Sequence, residues 1–182
     1  LLDQTAAFLQ EQEPTNPTAY RIIRSLRWDP LVEEPNNQGG RTLLADLLPH
    51  RLTFLNNLVE TKDWATLLAT AEGLFLELPY HFLLDVQRYT VTAMEGLGAD
   101  YQQARQAVLY ETALLIKRLP TLPTLSFREG QPFADPATRF WLEETVEPIL
   151  ASGGDGGVED DAALTEDYDK AKSLLAEGKL NE

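Results

Sequence analysis

The apolar residues of this chain recur mostly at the three- and four-residue spacing that is typical of α-helices. The stretch after Asn16-Pro17 shows how such a helix begins. Asn16 suits an N-cap, and Pro17 suits the first helical position, where its missing N–H costs nothing. Asp29-Pro30 ends the pattern, so the sequence predicts a helix over 17–28. The predicted apolar face consists of Ala19, Ile22, Ile23 and Leu26.

The same spacing predicts helices over 1–12, 49–61, 64–78, 80–95 and 100–119, and a last core helix after Asp135-Pro136. The pattern over 64–78 is the most regular, and Trp64 lies on it, so we expect Trp64 to be largely buried. The stripe of that helix is Trp64, Leu67, Leu68, Ala71, Leu74, Phe75 and Leu78. The stripe of the last core helix is Thr138, Trp141, Leu142, Thr145 and Ile149, with Val146 beside it.

Other stretches lack this periodicity. Residues 30–48 contain two prolines and Gly39-Gly40, and they predict a long loop. This loop is either a binding element or a tether that packs through its leucines. Residues 125–133 predict a small hairpin or extended excursion around Glu129-Gly130. Residues 151–162 are rich in glycine and acids and predict a flexible linker, and 164–177 are helical in pattern.

The sequence therefore predicts an all-α fold, a bundle of about seven antiparallel helices with hairpins similar to tetratricopeptide repeats, although the repeat period of roughly 34 residues is absent. We expect a helical domain over 1–150, followed over 151–182 by an acidic linker and an appended helix. The chain starts at Leu1 and ends just after a helical pattern, so we interpret it as a piece of a longer protein.

Composition narrows the possible functions. The net charge is −14, from 29 acidic and 15 basic residues, which disfavours binding to nucleic acid or to anionic lipid. The absence of cysteine excludes disulfides and thiolate metal sites, and it suits a cytoplasmic protein. No apolar run approaches the roughly 18 residues of a membrane span.

Few residues of the sequence suggest a catalytic or metal-binding site. His50 and His81 stand at predicted helix starts and form no metal-ligand pair. His81, Asp85 and Arg88 share a face of the predicted helix over 80–95. They form either an acid–base set or, as is commoner, a local group of salt bridges and hydrogen bonds. We therefore predict no enzyme activity, no metal and no cofactor. Tyr20, Arg24, Asp85 and Arg88, which sit beside apolar stripes, are predicted to hold helices together.

The predicted helix over 100–119 is apolar on nearly all sides. Such a helix is either central in the domain or part of an interface. We therefore predict a homodimer, with Leu109, Tyr110 and Ile116 as candidate interface residues. The appended helix over 164–177 is the alternative cover for this surface.

Several segments together resemble the middle domain of the TssA family of the bacterial type VI secretion system. The first is Glu13-Pro14-x-Asn16-Pro17-x-x-Tyr20-Arg21-x-x-Arg24-x-x-x-Trp28. The others are Gly40-Arg41-Thr42, Asp63-Trp64, His81-Phe82-x-Leu84-Asp85-x-Gln87-Arg88-Tyr89, Phe127-x-x-Gly130-x-Pro132-Phe133-Ala134-Asp135 and Thr138-Arg139-x-Trp141-Leu142. They occur in the family's order and cover roughly residues 11–150.

The resemblance implies a non-enzymatic organiser of a contractile tail, which acts at the baseplate and the growing sheath. It implies a dimerising spacer between an N-terminal domain and a ring-forming C-terminal domain, and partners among the tail, sheath and baseplate components. Leu84 stands where the family often has tryptophan. A tetratricopeptide-like adaptor is the alternative, and it would need a concave groove lined by polar and aromatic side chains.

Overall fold

The computed structural model describes residues 12–152 together with Phe8 and Gln10, and it confirms the all-α class. The predicted helix over 1–12 and the predicted linker over 151–162 fall mostly outside these residues, and the predicted appended helix falls outside them. Residues 151–152, predicted to begin the linker, are helical. The helices are α1 (Pro17–Trp28), α2 (Pro49–Glu60), α3 (Trp64–Leu76), α4 (Asp85–Leu97), α5 (Gln102–Arg118), α6 (Pro136–Trp141) and α7 (Glu147–Ser152).

The helix starts that the sequence predicted from caps are confirmed. The side chain of Asn16 accepts the N–H of Thr18 at 3.0 Å, and Pro17 follows at the first helical position. Asp135 caps α6 in the same way and accepts the N–H of Thr138 at 2.6 Å. These starts are local devices that satisfy free backbone donors, which is why the sequence alone predicts them.

Helix α5 lies at the centre of the fold. It packs along α1 on one side and along α4 on another, and α4 also packs along α3. Its Ala104, Ala107, Val108 and Leu115 are buried. Of the two alternatives for this helix, a central position or an interface, the protomer itself accounts for most of the apolar surface.

The buried face of α1 differs from the predicted one. Tyr20, Arg24 and Trp28, spaced four apart, are buried together with Ala19 and Ile23, whereas Ile22 and Leu26 are only half-buried. Apolar periodicity misplaces this face because it treats arginine as a surface residue. Arg24 can lie in the core because an acidic side chain from another helix meets it there.

Helix α4 begins at Asp85 rather than at residue 80. Tyr80–Phe82 form a separate 3-10 turn, and Leu83 is extended. The reason is tertiary: the N–H of Leu84 donates to the carbonyl of Phe133 at 2.6 Å, and Leu83 and Leu84 are both fully buried. A continuous helix from residue 80 would break this arrangement.

The expectation for Trp64 is only partly met. Its side chain is half-buried, because it stands at the first position of α3 and rests on Gly96 of α4. A Cβ atom at residue 96 would run into the indole ring. Leu78, placed on the same stripe, is 68% exposed because α3 ends at Leu76. Trp28 is the tryptophan that the core encloses, with 2% exposure.

The last core helix is interrupted by a π turn over Leu142–Val146. The wider turn changes the spacing of the inward residues to four, so Thr138, Leu142 and Val146 are buried. Thr145, predicted on the stripe, is exposed, and Trp141 is half-buried. The predicted period of 3.6 residues fails at this one turn.

The loop over 30–48 contains a two-residue hairpin that the sequence analysis did not predict. Asn37–Gln38 (β1) pairs antiparallel with Arg41–Thr42 (β2). Gly39 and Gly40 form the connection, both with positive φ (60° and 84°), as such tight turns require. The predicted excursion at 125–133 is confirmed as a turn in which the N–H of Phe127 donates to the carbonyl of Gln131.

Candidate functional site

Arg24 lies fully buried at the centre of the most prominent polar cluster. Its Nη2 donates to Oε1 of Glu72 at 2.7 Å, and its Nη1 donates to Oε2 at 3.2 Å. Its Nε and Nη2 donate to Oε1 of Gln87 at 3.0 and 2.8 Å. The guanidinium also lies 4.9 Å from the ring centroid of Phe75. One arginine of α1 thus joins α3 and α4.

Glu72 is the acidic partner, and its carboxylate is hydrogen-bonded on both oxygens. The hydroxyl of Thr90 donates to Oε1 at 2.8 Å, and the amide of Gln10 donates to Oε2 at 2.8 Å. Burial alone would raise the pKa of Glu72, but the charge and hydrogen bonds of Arg24 outweigh it, so this pKa is lowered. The pair is therefore ionised, and it holds α1 and α3 together.

The polar atoms of Tyr20 and Trp28 donate hydrogen bonds to backbone carbonyls. The hydroxyl of Tyr20 donates to the carbonyl of Pro14 at 2.8 Å, and burial raises the pKa of this phenol. The Nε1 of Trp28 donates to the carbonyl of His81 at 3.0 Å, and its ring meets Phe75 edge-on at 5.1 Å. Both side chains tie α1 to neighbouring segments.

A second polar cluster connects α4 with the start of α6. Arg88 donates through Nε to the hydroxyl of Thr138 at 2.8 Å and through Nη2 to Asp135 at 3.2 Å. Asp85 accepts the backbone N–H of Asp135 at 2.9 Å. The carboxylate of Asp135 thus caps α6 and pairs with Arg88 at once. The predicted site residues Asp85 and Arg88 meet here through a second acid, Asp135.

His81 lies apart from this cluster. It belongs to the 3-10 turn, and its ring lies 4.1 Å from the ring centroid of Phe82. Burial lowers the pKa of His81 to about 4, helped by the charge of Arg27, so the imidazole is neutral near pH 7. Since no helix connects His81 with Asp85, the face on which the acid–base hypothesis rested is not formed. His50 lies exposed at the start of α2.

Asp85 and His81 give opposite pH dependences of stability. Burial raises the pKa of Asp85 from 3.8 to about 6, against the hydrogen bonds from Asp135 and Thr138. The folded state therefore holds the proton more tightly, and this stabilisation is lost as the pH rises through 6. For His81 the folded pKa is depressed, so its stabilisation exists above pH 6.5 and is lost as the pH falls toward 4.

We expect Asp85→Asn to remove only the first contribution, because asparagine keeps an oxygen for the N–H of Asp135. Between pH 4 and 6, the variant's free energy of unfolding should then rise more steeply than that of the wild type. Across this pH range the free energies of unfolding of the variant and the wild type should diverge by about 2 kcal/mol. Urea melts at pH 4, 5, 6 and 7 measure it, and parallel profiles would show that Asp85 is ionised throughout.

The long loop is fixed against the turn at 126–131. The carboxylate of Asp46 accepts the backbone N–H groups of Glu129 at 2.7 Å and of Gln131 at 2.9 Å. In return, the side-chain oxygen of Gln131 accepts the N–H of Leu47 at 2.8 Å. Leu47 is buried, while Leu43 is 86% exposed. Of the two alternatives for this loop, these contacts favour the packed tether over most of its second half.

The three candidate interface residues of α5 have different environments. Leu109 and Ile116 are buried within the protomer, at 8% and 6% exposure, so they offer a second copy almost no surface. The periodicity placed them on outer faces, but the neighbouring elements cover α5 on most sides. Tyr110 is 44% exposed, and Leu114, one turn further on, is 37% exposed. Other exposed large apolar residues are Phe8, Val32, Leu43, Leu48, Phe54, Leu78 and Phe140.

A groove of about 370 Å³ runs along α3. Its floor is formed by the exposed small residues Ala65, Ala69 and Gly73, and the buried Glu72 lies next to them. Further lining residues are Gln10, Pro14, Tyr20, Leu68, Leu76, Leu97 and Tyr101. The groove is mostly apolar, with two tyrosines and the edge of the Arg24 cluster.

The partners of the buried arginine were not predicted from the sequence. Glu72, Gln87 and Thr90 were not singled out, although Glu72 is the only charged residue between Trp64 and Leu76. A single acid in an otherwise uncharged helix, together with an arginine between aromatic residues of another helix, is a usable signal of a buried pair. The acid cap Asp135 was predicted, but its bond to Arg88 was not.

Within residues 12–152, no helix has the length and apolar content to cross a membrane. No group of three acidic or histidine side chains is placed to hold a metal ion in that same part of the chain. A family model described as "Type VI secretion, EvfE, EvfF, ImpA, BimE, VC_A0119, VasJ" matches residues 2–182. No curated protein shows significant similarity to the chain.

Proposed function

Since the chain belongs to the type VI secretion family of ImpA and VasJ, we propose that it is a structural component that helps to assemble the baseplate and sheath of the secretion apparatus. In this role it acts as a dimerising spacer between an N-terminal domain and a ring-forming C-terminal domain, in the bacterial cytoplasm and without catalysing a reaction. Its partners are a second copy and other tail components.

The observation that carries this proposal is how the prominent polar side chains are used. Arg24 and Glu72 bond to each other and to core neighbours, and Arg88, Asp135 and Thr138 bond across two helices. Both clusters connect helices that are far apart in the sequence. Ion pairs and hydrogen bonds that join distant helices suit a structural component that must keep its shape.

The outer face of α5 supports the proposal of a dimer. Tyr110 and Leu114 are one helical turn apart and therefore lie side by side, and both are more than one-third exposed. The residues one turn before and after them, Gln106 and Lys117, are also exposed and carry no acid. On a chain with a net charge of −14, a face without carboxylates is where two copies repel least.

The test is the mass of the whole chain in solution. We expect light scattering to give about twice the 20.4 kDa of one chain. Tyr110→Asp combined with Leu114→Asp should give a monomer, because two carboxylates would face two others across a two-fold axis. Phe54→Asp on α2, where the side chain is 47% exposed, is the matched control and should stay dimeric. A wild-type monomer at every concentration would reject the dimer.

One observation favours the alternative of a peptide-binding adaptor. The groove along α3 is concave, and it combines apolar residues with Tyr20, Tyr101 and the amide of Gln10. Such a lining is what an adaptor would need. The two proposals differ in whether this groove is open to another protein, which depends on what fills it.

A further inference from the structure

Leu43 is the most exposed large apolar side chain in the part of the chain that the structure describes, at 86%. It follows β2 directly, at a bend of the backbone, and its neighbour Thr42 is buried while Arg41 is exposed. Single exposed leucines are common on protein surfaces. The exposure of Leu43 therefore gains meaning from how its backbone is held and from which charges surround it.

The backbone on both sides of Leu43 is bonded to one neighbouring segment. The N–H of Thr42 donates to the carbonyl of Ser126 at 2.9 Å, and the N–H of Arg128 donates to the carbonyl of Leu44 at 2.9 Å. The hydroxyl of Thr42 also donates to the carbonyl of Ser126, at 2.9 Å. An apolar side chain on a backbone that is already fixed loses little conformational freedom when a partner covers it.

Two arginines flank Leu43. Among the residues that the structure describes, Arg41 forms no ion pair. Its Nη2 lies 3.8 Å from the position that a Cβ atom would take at Gly130, so it reaches toward the turn that carries Arg128. Arg128 pairs with Glu129 at 3.1 Å, but these side chains are 57% and 75% exposed. Such an exposed pair contributes little and can exchange partners.

The two segments that meet here carry no acid. Residues 35–45 and 119–128 contain Arg41 and Arg128 but neither aspartate nor glutamate, although the chain has 29 acids and a net charge of −14. The surface around Leu43 is thus a cationic region on an anionic molecule. It attracts the carboxylates of another protein while the rest of the chain repels them. The net charge disfavours nucleic acid and anionic lipid as ligands.

We propose that Leu43, Arg41 and Arg128 form a contact site for a different protein, whose matching surface is an apolar pocket rimmed by carboxylates. Leu43 fills the pocket, and the two arginines pair with the carboxylates of its rim. This goes beyond the proposed function, because it assigns a face of the molecule and the chemistry of the partner. It also holds whether or not the chain is a dimer.

Photo-crosslinking with the whole chain, in the bacterium that makes it, tests the site. Replacing Leu43 by p-benzoylphenylalanine should give one discrete adduct with a different protein on irradiation. The same replacement of Phe140, which is 66% exposed on α6, is the matched control and should not give that adduct. Adding Arg41→Glu should remove most of the adduct, whereas Lys62→Glu, at an exposed residue before α3, should leave it.

Two results of the crosslinking would overturn the proposal. The first is no adduct stronger than that of the Phe140 control. The second is an adduct that contains only two copies of this chain, since the occupant would then be the chain itself. An adduct that survives Arg41→Glu unchanged would also contradict it, because the arginine would then play no part in recognition.

Binding of the purified captured protein supplies the quantitative test. Leu43→Asp should weaken the affinity about tenfold or more, because the pocket loses its apolar side chain. Arg41→Glu should weaken it strongly at low salt and less at high salt, since salt screens the carboxylates of the rim. Phe140→Asp should leave the affinity unchanged. Thermal melts should show that all three variants remain folded, since these side chains are exposed.

Equal affinities of the Leu43→Asp and Phe140→Asp variants for the captured protein would reject the contact site. So would an effect of Arg41→Glu that does not diminish with salt. Vesicles of phosphatidylglycerol serve as the membrane probe. If the wild type bound them and Leu43→Asp did not, the site would face a lipid surface, and the proposal of a protein partner would be wrong.

Discussion

Replacing Arg24 by Met should lower the free energy of unfolding by about 3–5 kcal/mol, because it leaves the carboxylate of Glu72 buried without its counter-charge. The side chains of the pair are 0% and 6% exposed, so water cannot take over the lost contacts. Gln87 would also lose the donors to its Oε1. Urea unfolding followed by circular dichroism at pH 7 measures the loss.

The chain contains a matched control for this experiment. Arg51 pairs with Glu77 in the same two-bond geometry, at 2.7 and 2.8 Å, but these side chains are 31% and 48% exposed. Arg51→Met should therefore cost no more than about 1 kcal/mol. Equal losses in the free energy of unfolding for Arg24→Met and Arg51→Met would mean that burial does not determine how much the Arg24–Glu72 pair contributes to stability.

Removing both charges should cost less than removing one. In the double variant Arg24→Met, Glu72→Leu, no uncompensated charge remains in the core, so its free energy of unfolding should exceed that of Arg24→Met alone. It should stay below the wild type, since Gln87 and Thr90 lose their charged partners. A double variant less stable than the single one would contradict this reasoning.

The second large effect is expected at Trp28. Trp28→Ala should lower the free energy of unfolding by about 3–5 kcal/mol through the cavity that it leaves. The indole is 2% exposed, stacks edge-on against Phe75, and donates to the carbonyl of His81. Trp28→Phe keeps most of the packing and should show only the loss of this hydrogen bond, about 1 kcal/mol.

Trp64→Ala is the comparison for Trp28→Ala. Its indole is half-buried over Gly96, so its removal exposes less new surface and should cost clearly less. Thermal melts of the two alanine variants rank them directly. If Trp64→Ala were the more damaging, the regular stripe over 64–78 would describe the core better than the structure does.

The sequence predicted well the features that depend on residues close together in the chain. Asn16-Pro17 and Asp135-Pro136 mark helix starts because a side chain satisfies a backbone donor two or three residues away. The all-α class follows from the helical period, which repeats along most of the chain. The turn at 125–133 follows from Glu129-Gly130, because Gly130 supplies a φ of 103°.

The sequence predicted poorly the features that depend on contacts between residues far apart in the chain. The start of α4 is set by the bond from Leu84 to the carbonyl of Phe133, 49 residues later. The buried face of α1 is set by Glu72 of α3, because an acid there makes Arg24 a core residue. The π turn at 142–146 displaced Thr145 from the core. In the first two cases a partner outside the local window overrides the pattern.

We infer that the buried polar residues maintain the shape of a type VI secretion component and carry out no chemistry. Secretion by a strain whose only copy is a variant tests this claim most directly, with the free energy of unfolding measured on the same purified variants. We predict that Arg24→Met, Glu72→Leu supports more secretion than Arg24→Met alone, in the order of their stabilities, although it lacks both charged groups. A double variant that is the more stable of the two, yet secretes no better, would contradict the account.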